Sequence, residues 1–232
     1  MRPVLIALAA LTVPVAASPA AAQSLSGGGW DYGVGLGTDN RSKQVSKSGN
    51  DTFVWGLAEW TSGDGYFYGG PGFETIDSSG SDVEVELGFG VRPQVAGFDL
   101  DLNVTHKWRL DANPGADDDA WEFTADVDRA IGPARARLRL QYSPDGTGST
   151  KAWTWIEARA RWDLTLDTSL SAGIGHREQD RSIDYTGWDA GVTWQLTPSV
   201  DLDLRYHDTD ADPSLFGDQY GSALVANVGF YF

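Results

Sequence analysis

Apolar and polar side chains alternate along this chain up to its last residue, Phe232. Val200-Asp201-Leu202-Asp203-Leu204-Arg205-Tyr206 is typical, and so is Phe98-Asp99-Leu100-Asp101-Leu102-Asn103-Val104. A period of two describes β-strands with one face in an apolar medium and the other in water. In a soluble sandwich the apolar face meets a second sheet, so the pattern alone leaves two architectures open. Three further features favour a barrel in a lipid bilayer: an export signal, Trp and Tyr at strand ends, and an aromatic last strand.

The first 22 residues read as a cleavable secretory signal. Arg2 is the basic start, Val4 to Val15 is mostly apolar, and Ala20-Ala21-Ala22 before Gln23 supplies small residues for cleavage. The apolar run is too short for a membrane-spanning helix of about 20 residues, and no later stretch qualifies. The expected division is therefore 1–22 signal and 23–232 barrel. Cleavage removes Arg2 and leaves 16 basic against 33 acidic residues, a formal net charge of −17. That acidity argues against nucleic acid, since counterion release needs cations facing phosphate. The chain has no cysteine, which removes disulfides and thiolate chemistry.

The alternation resolves into twelve strands over 28–38, 51–61, 65–75, 82–92, 96–109, 119–129, 133–143, 151–163, 168–178, 185–196, 199–209 and 222–232. Short connections (Ser62-Gly63-Asp64, Pro93-Gln94-Val95, Ala130-Ile131-Gly132, 164–167, Thr197-Pro198) alternate with longer ones at 39–50, 76–81, 110–118, 144–150, 179–184 and 210–221. An all-β, transmembrane, antiparallel up-and-down β-barrel of about twelve strands has this arrangement, with short turns on one side and longer loops on the other. Trp30, Trp60, Trp108, Trp121, Trp162, Trp188, Trp194, Tyr142, Tyr206 and Phe230 fall near strand ends, where amphipathic rings suit the membrane interface.

The chain resembles the TorF-type porins, small Gram-negative outer-membrane proteins. The resembling segments are Val34-Gly35-Leu36-Gly37-Thr38-Asp39-Asn40-Arg41-Ser42-Lys43, Gly65-Tyr66-Phe67-Tyr68-Gly69, Val83-Glu84-Val85-Glu86-Leu87-Gly88, Asp189-Ala190-Gly191-Val192 and Tyr206-His207-Asp208-Thr209-Asp210. Lys43-Gln44 stands where that family usually carries an Arg-Gly pair. The resemblance implies an outer-membrane pore. The last strand, ending at Phe232, is similar to the segment that outer-membrane barrels present to the barrel-assembly machinery.

With apolar faces on lipid, the polar faces line the interior. The expected pore-lining residues are Glu84, Glu86, Asp99, Asp101, Glu122, Asp126 and Asp128 on an acidic wall, and Arg135, Arg137, Arg139, Arg159 and Arg161 on a basic one, with Glu157 among the latter. Adjacent strands lie about 5 Å apart, close enough for Arg–carboxylate pairing between the sixth and seventh. Gly173, Gly175, Gly191 and Gly229 are expected to leave lumenal space. This arrangement predicts a narrow porin for passive diffusion of small hydrophilic or charged solutes or ions, embedded in outer-membrane lipids. The alternatives are a closed structural or receptor-type barrel, with Leu215, Phe216 and Tyr220 of 210–221 as contact surface, and less strongly an outer-membrane hydrolase. Only His106, His176 and His207 could serve as a base, and no motif ties them to Ser171 or Ser182, so no catalytic residue is assigned. Asp117-Asp118-Asp119 and 208–212 lack the spacing of a calcium loop. No metal, cofactor or nucleotide motif is expected.

Overall fold

The computed structural model describes residues 28–148 and 150–232, and the expected signal segment lies outside them. Twelve long strands follow in order: β1 Gly29–Gly37, β2 Phe53–Thr61, β3 Phe67–Ser78, β4 Ser81–Val91, β5 Phe98–Leu110, β6 Asp119–Ile131, β7 Ala134–Gly146, β8 Lys151–Asp163, β9 Thr168–Gln179, β10 Tyr185–Thr197, β11 Val200–Thr209 and β12 Ala223–Tyr231. Each pairs antiparallel with its chain neighbours. β1 closes the cylinder against β12, with Gly33 opposite Tyr231 and Gly37 opposite Asn227. Closure removes the exposed strand edges that an open sheet of this size would present.

The first residue of β1 and the last of β12 lie at one end, with the connections 62–66, 92–97, 132–133, 164–167 and 198–199. We call this the turn end. The loop end carries 38–52, termed L1, together with 79–80, 111–118, 147–150, 180–184 and 210–222. The expected alternation of short and long connections does not hold throughout. Where 76–81 reads as a loop, β3 continues to Ser78 and turns at Ser79-Gly80, both with positive φ (56° and 79°). That is the turn geometry whose twist matches a two-residue hairpin. Ser81 is fully buried, its hydroxyl donating to the Val83 carbonyl at 2.8 Å. The expected loop 144–150 likewise shrinks, because β7 runs on to Gly146.

Period-two alternation places Leu87, Phe89, Leu102, Val127, Leu138, Leu140, Ile156, Leu170, Ile174 and Leu204 on the exterior, all exposed. Soluble monomers rarely show contiguous apolar surface on this scale, and lipid-facing barrels require it. Trp30, Trp108, Trp121, Trp162, Trp188, Trp194, Tyr142, Tyr206 and Phe230 are exposed on the same face. Trp60 is half-buried, its indole against Gly28.

The interior is polar over most of its circumference and apolar over the rest. Phe53 and Trp55 are fully buried with Leu57 and Tyr231 around them. Here the glycines act differently from expectation. A Cβ at Gly35 would meet the Trp55 ring at 2.5 Å, at Gly175 it would overlap Trp155, and at Gly229 it would meet Tyr231 at 2.9 Å. At Gly173 and Gly191 it would meet Arg159 and Arg205 at 2.7 and 2.9 Å. These glycines receive neighbouring side chains, so the space they leave is filled.

Candidate functional site

Interior charges meet like with like across the strands. Glu74 lies opposite Glu84, Asp101 opposite Asp126, Asp99 opposite Asp128, Arg135 opposite Arg161, and Arg137 opposite Arg159. Directly opposed like charges repel, and here, for the arginines, carboxylates on the same or a further strand intervene. Glu157 accepts from Arg137 at 2.7 Å and from Arg159 at 3.0 Å. Asp189, fully buried on β10, accepts from Arg159 at 2.8 Å and also from Arg205 of β11. Arg205 continues to Asp203 at 3.0 Å and to the Ser171 hydroxyl at 2.9 Å. A chain of alternating charge thus runs Arg137–Glu157–Arg159–Asp189–Arg205–Asp203 around the wall. Arg139 grips Asp126 with two nitrogens, its Nε at 2.7 Å.

A second cluster occupies the loop-end half of β3 to β6. Glu84 is held by Lys107 at 3.4 Å, by Arg109 at 3.2 Å and by Lys47 of L1 at 2.8 Å. Lys107 also reaches Glu86 at 3.3 Å and Glu122 at 3.6 Å, and Lys47 pairs with Glu74. Nearer the turn end, Arg92 contacts Glu59 at 3.1 Å and Asp101 at 3.3 Å, its guanidinium 3.7 Å over the Tyr68 ring. Arg135 reaches Asp99 at 3.3 Å and Arg161 reaches Asp163 at 2.8 Å, both pairs partly solvated. The Asp128 carboxylate makes no hydrogen bond among the described residues. Of the expected interior residues, Glu84, Glu86 and Glu122 therefore sit in the lysine cluster. Asp126, Arg137, Arg139 and Arg159 sit in the arginine wall, and Asp99, Asp101, Arg135 and Arg161 lie towards the turn end.

The sequence reading missed L1. It is not an exposed loop: it folds inward as a small hairpin, Arg41–Ser42 paired with Val45–Ser46. Arg41 locks its base, donating to Asp39 at 2.6 Å, Asn50 at 2.8 Å and the Gly221 carbonyl at 2.7 Å. Lys43 and Gln44 form the tip, both with positive φ (52° and 71°) although neither is glycine. Such backbone costs of order 1–3 kcal/mol per residue and persists where surrounding contacts hold it. Those contacts are specific. Gln44 Nε2 donates to Asp189 at 2.7 Å, its Oε1 lies 2.6 Å from His207 Nδ1, and the Tyr185 hydroxyl donates to the Lys43 carbonyl at 2.8 Å. Lys43 Nζ lies 3.8 Å from Glu122 and 4.1 Å above the Trp153 ring. Burial pulls the Lys43 ammonium down to about 7, with Glu122 opposing, and the Lys47 ammonium down to about 8, with Glu84 opposing.

Between L1 and the turn at 164–167 lies a cavity of about 300 Å³. Its wall includes Arg137, Arg139, Arg159, Arg161, Arg205, Asp189, Asp201 and Asp203, with Gln44 and Lys43 above. On a liquid-volume basis this holds on the order of ten waters. Arg137 Nε and Asp201 Oδ1, both on lining residues, are buried without a protein partner. Beyond L1, Trp153, Trp155, Tyr185 and Tyr220 pack together with Val45 and Ile183 at the loop end. Tyr220 is thus buried, while Leu215 and Phe216 of the same loop stay exposed.

The histidines and acidic loops are otherwise engaged. His106 bonds Asp119 at 2.8 Å between the rings of Trp108 and Trp121, and His176 bonds the Thr186 hydroxyl. Among the described residues no serine hydroxyl is hydrogen-bonded to a histidine. Asp117 pairs with Lys151 at 2.6 Å, and Asp210 and Asp212 accept from backbone N–H groups. No group of three His, Asp or Glu among the described residues is arranged to hold a metal.

Local sequence explains part of what was missed. Lys107 and Arg109 continue the alternation of Asp99 and Asp101 along β5, and Arg205 that of Asp201 and Asp203 along β11, so period-two extension reaches them. Nothing local marks Gln44, whose partners lie 145 and 163 residues away.

The sequence model of a family described as "Bacterial protein of unknown function (Gcw_chp)" matches residues 21–230. No curated protein is similar in sequence. Among solved structures the fold is similar to the KdgM porin, with TM-score 0.60 and 6% identity over 88% of this chain and 98% of that one. It is also similar to the NanC porin (0.57, 9%, 88% and 99%) and to an outer membrane channel from Pseudomonas putida F1 (0.54, 12%, 88% and 94%). At these identities the likeness establishes the twelve-stranded barrel.

Proposed function

The chain belongs to the Gcw_chp family of bacterial proteins, and from that premise we propose that it is an outer-membrane porin with a narrow channel for small hydrophilic or charged solutes. The observation that carries this reading is the cavity under L1, with its arginine wall and two polar atoms left unpaired on lining residues. A barrel serving only as a polar-filled post would be expected to pair such groups internally. The apolar exterior and the porin-like fold support a membrane setting, and the TorF resemblance supports the same role. Solutes would move by diffusion along one side of the interior, past Arg137, Arg139, Arg159 and Arg161, because the β2 to β6 side is filled. Lipid contacts the exterior, and the strand ending in Phe232 would engage the assembly machinery.

Arginine is suited to this role. Its guanidinium stays charged at any working pH and presents several donors, so it can keep one carboxylate while offering free N–H groups to a passing anion. A transverse field between acidic and basic walls would also orient dipolar solutes.

One observation favours a second reading, a receptor with a closed lumen: the aromatic cluster covers the loop end while Leu215 and Phe216 face outward. Single-channel conductance of refolded protein in a planar bilayer separates the two. Discrete steps, with a reversal potential that shifts on replacing Arg137 and Arg159, support the porin. Folded, inserted protein without steps overturns it.

A further inference from the structure

The interior glycine Gly187 faces L1, not a neighbouring strand. A Cβ there would lie 2.7 Å from the Gln44 Cβ and from its Cγ. Any larger residue at 187 would push the hairpin tip off the wall. The missing side chain is thus a notch, and Gln44 is seated in it. Two residues towards the turn end from the notch, Asp189 and His207 stand opposite each other on β10 and β11 and take the two ends of the Gln44 carboxamide, one accepting and one facing its oxygen. The carboxamide offers a donor and an acceptor on separate atoms with no charge of its own, and has the reach to present both at once. A carboxylate at 44 would face Asp189, and an ammonium would have no acceptor for the His207 N–H. The strained backbone at Lys43 and Gln44 points the same way, since a free loop would relax it.

Resting on the porin reading, we propose that the L1 tip seated in the Gly187 notch is the constriction of the channel, with Gln44 fixing its position and Lys43 determining its charge selectivity. The tip lies over the cavity, so a solute entering from the loop end passes it before reaching the arginine wall. Lys43 is the charged group carried by the tip itself. Around it stand Glu122 of β6, Arg177 of β9, Lys107 of β5 and Lys47 of L1, so replacing Lys43 leaves acid and base in different balance there.

The test is single-channel recording of the full folded protein in planar bilayers under a salt gradient. Gly187→Val fills the notch and is expected to raise unitary conductance several-fold. Lys43→Glu, with the seat intact, should move the reversal potential towards cation preference while leaving step size near the parent's. The chain has no cysteine, so Gln44→Cys with Gly187→Cys can form a disulfide once the seat yields by about an ångström to the usual Cβ separation. Oxidised, this pair should keep the parent's small step. Parent-sized steps in Gly187→Val, large steps in the oxidised pair, or an unmoved reversal potential in Lys43→Glu would overturn the proposal. Should Gly187→Val fail to fold, replacing 40–50 with a short glycine-serine turn gives the same readout. Large steps then support the constriction and parent-sized ones reject it. If even this hairpin-free barrel inserts and never conducts, the porin reading itself has failed, and the constriction with it.

Discussion

Arg137 and Arg159 face each other directly across β7 and β8, and the carboxylate of Glu157 holds both, at 2.7 Å and 3.0 Å. Glu157 is the one carboxylate that Arg137 bonds among the described residues, while Arg159 is held by Asp189 as well. Glu157→Gln keeps the shape and removes the charge. It should lower stability by about 1.5–3 kcal/mol, the range for hydrogen bonds to charged groups, read as a lower urea midpoint in lipid vesicles with unchanged slope. Equal stability would mean that water, not Glu157, separates the guanidinium groups.

A pH dependence follows from the two lysines of L1. Burial is the first cause for both, bringing Lys43 to about 7 and Lys47 to about 8 from the ordinary 10.5. Glu122 opposes the shift at Lys43, where Arg177 of β9, Lys107 of β5 and Lys47 add to it; Glu84 opposes it at Lys47, where Lys107 and Arg109 add to it. In the unfolded chain both stay protonated to higher pH, so above about 7 the unfolded state binds more protons and stability rises with pH. That contribution is present above the unfolded pKa and is lost as pH falls through 8 and then 7. For conduction the sign is simple: the tip is cationic at pH 6 and largely neutral at pH 9. Anion preference, measured as reversal potential, should decline over that interval, and Lys43→Arg should flatten much of the decline. A flat profile in the parent would show that Lys43 keeps its proton throughout.

The exterior gives a register test. Leu138 is 61% exposed on the outer face of β7, while Arg139, the next residue, grips Asp126 inside. Leu138→Arg should cost about 2–4 kcal/mol if the site lies near the bilayer midplane, and about 0–1 near an interface. Urea titration in vesicles checks it. Because a one-residue slip exchanges the two faces, a neutral result together with an intolerant inner face would reverse every assignment.

Trp155 and Gly175 should behave as one unit, since a Cβ at 175 would overlap the indole. Gly175→Val alone overpacks, at about 1–3 kcal/mol, and Trp155→Ala alone leaves a void, at about 3–5 kcal/mol. Combined, they should cost less than their sum by 0.5 kcal/mol or more, by the measure of a double-mutant cycle. Strict additivity would mean that the wall moves to absorb each change.

Strand number, faces and closure were legible because a strand's inside and outside alternate strictly, and each of the twelve segments carries that signal for itself. Loop lengths were less so. Asp77-Ser78-Ser79-Gly80-Ser81 has the composition of a loop, yet two residues suffice to turn there, and the rest extends the strands. Of the interior pairs, the Arg–carboxylate contact between the sixth and seventh strands was legible and is made by Arg139 and Asp126, but most other partners were not. Arg137 has Asp128 opposite it on β6 and bonds Glu157 on β8 instead, a choice set by side-chain reach across three strands. L1 was illegible for a different reason: its polar turn residues look the same whether they face water or a polar interior. Only the third dimension, bringing Gln44 to Asp189 and His207, tells these apart.

The bridged chain from Arg137 to Asp203 also has a historical reading. The inner members Glu157, Arg159, Asp189 and Arg205 each answer to two neighbours, so a lineage altering any one of these charges would leave a partner stranded in the wall. Change in this interior would therefore proceed by matched exchanges on adjacent strands, or at Lys43 of the L1 tip, which stands outside the bridged chain. A barrel built in this way can hold its wall constant and vary its interior by editing one short hairpin.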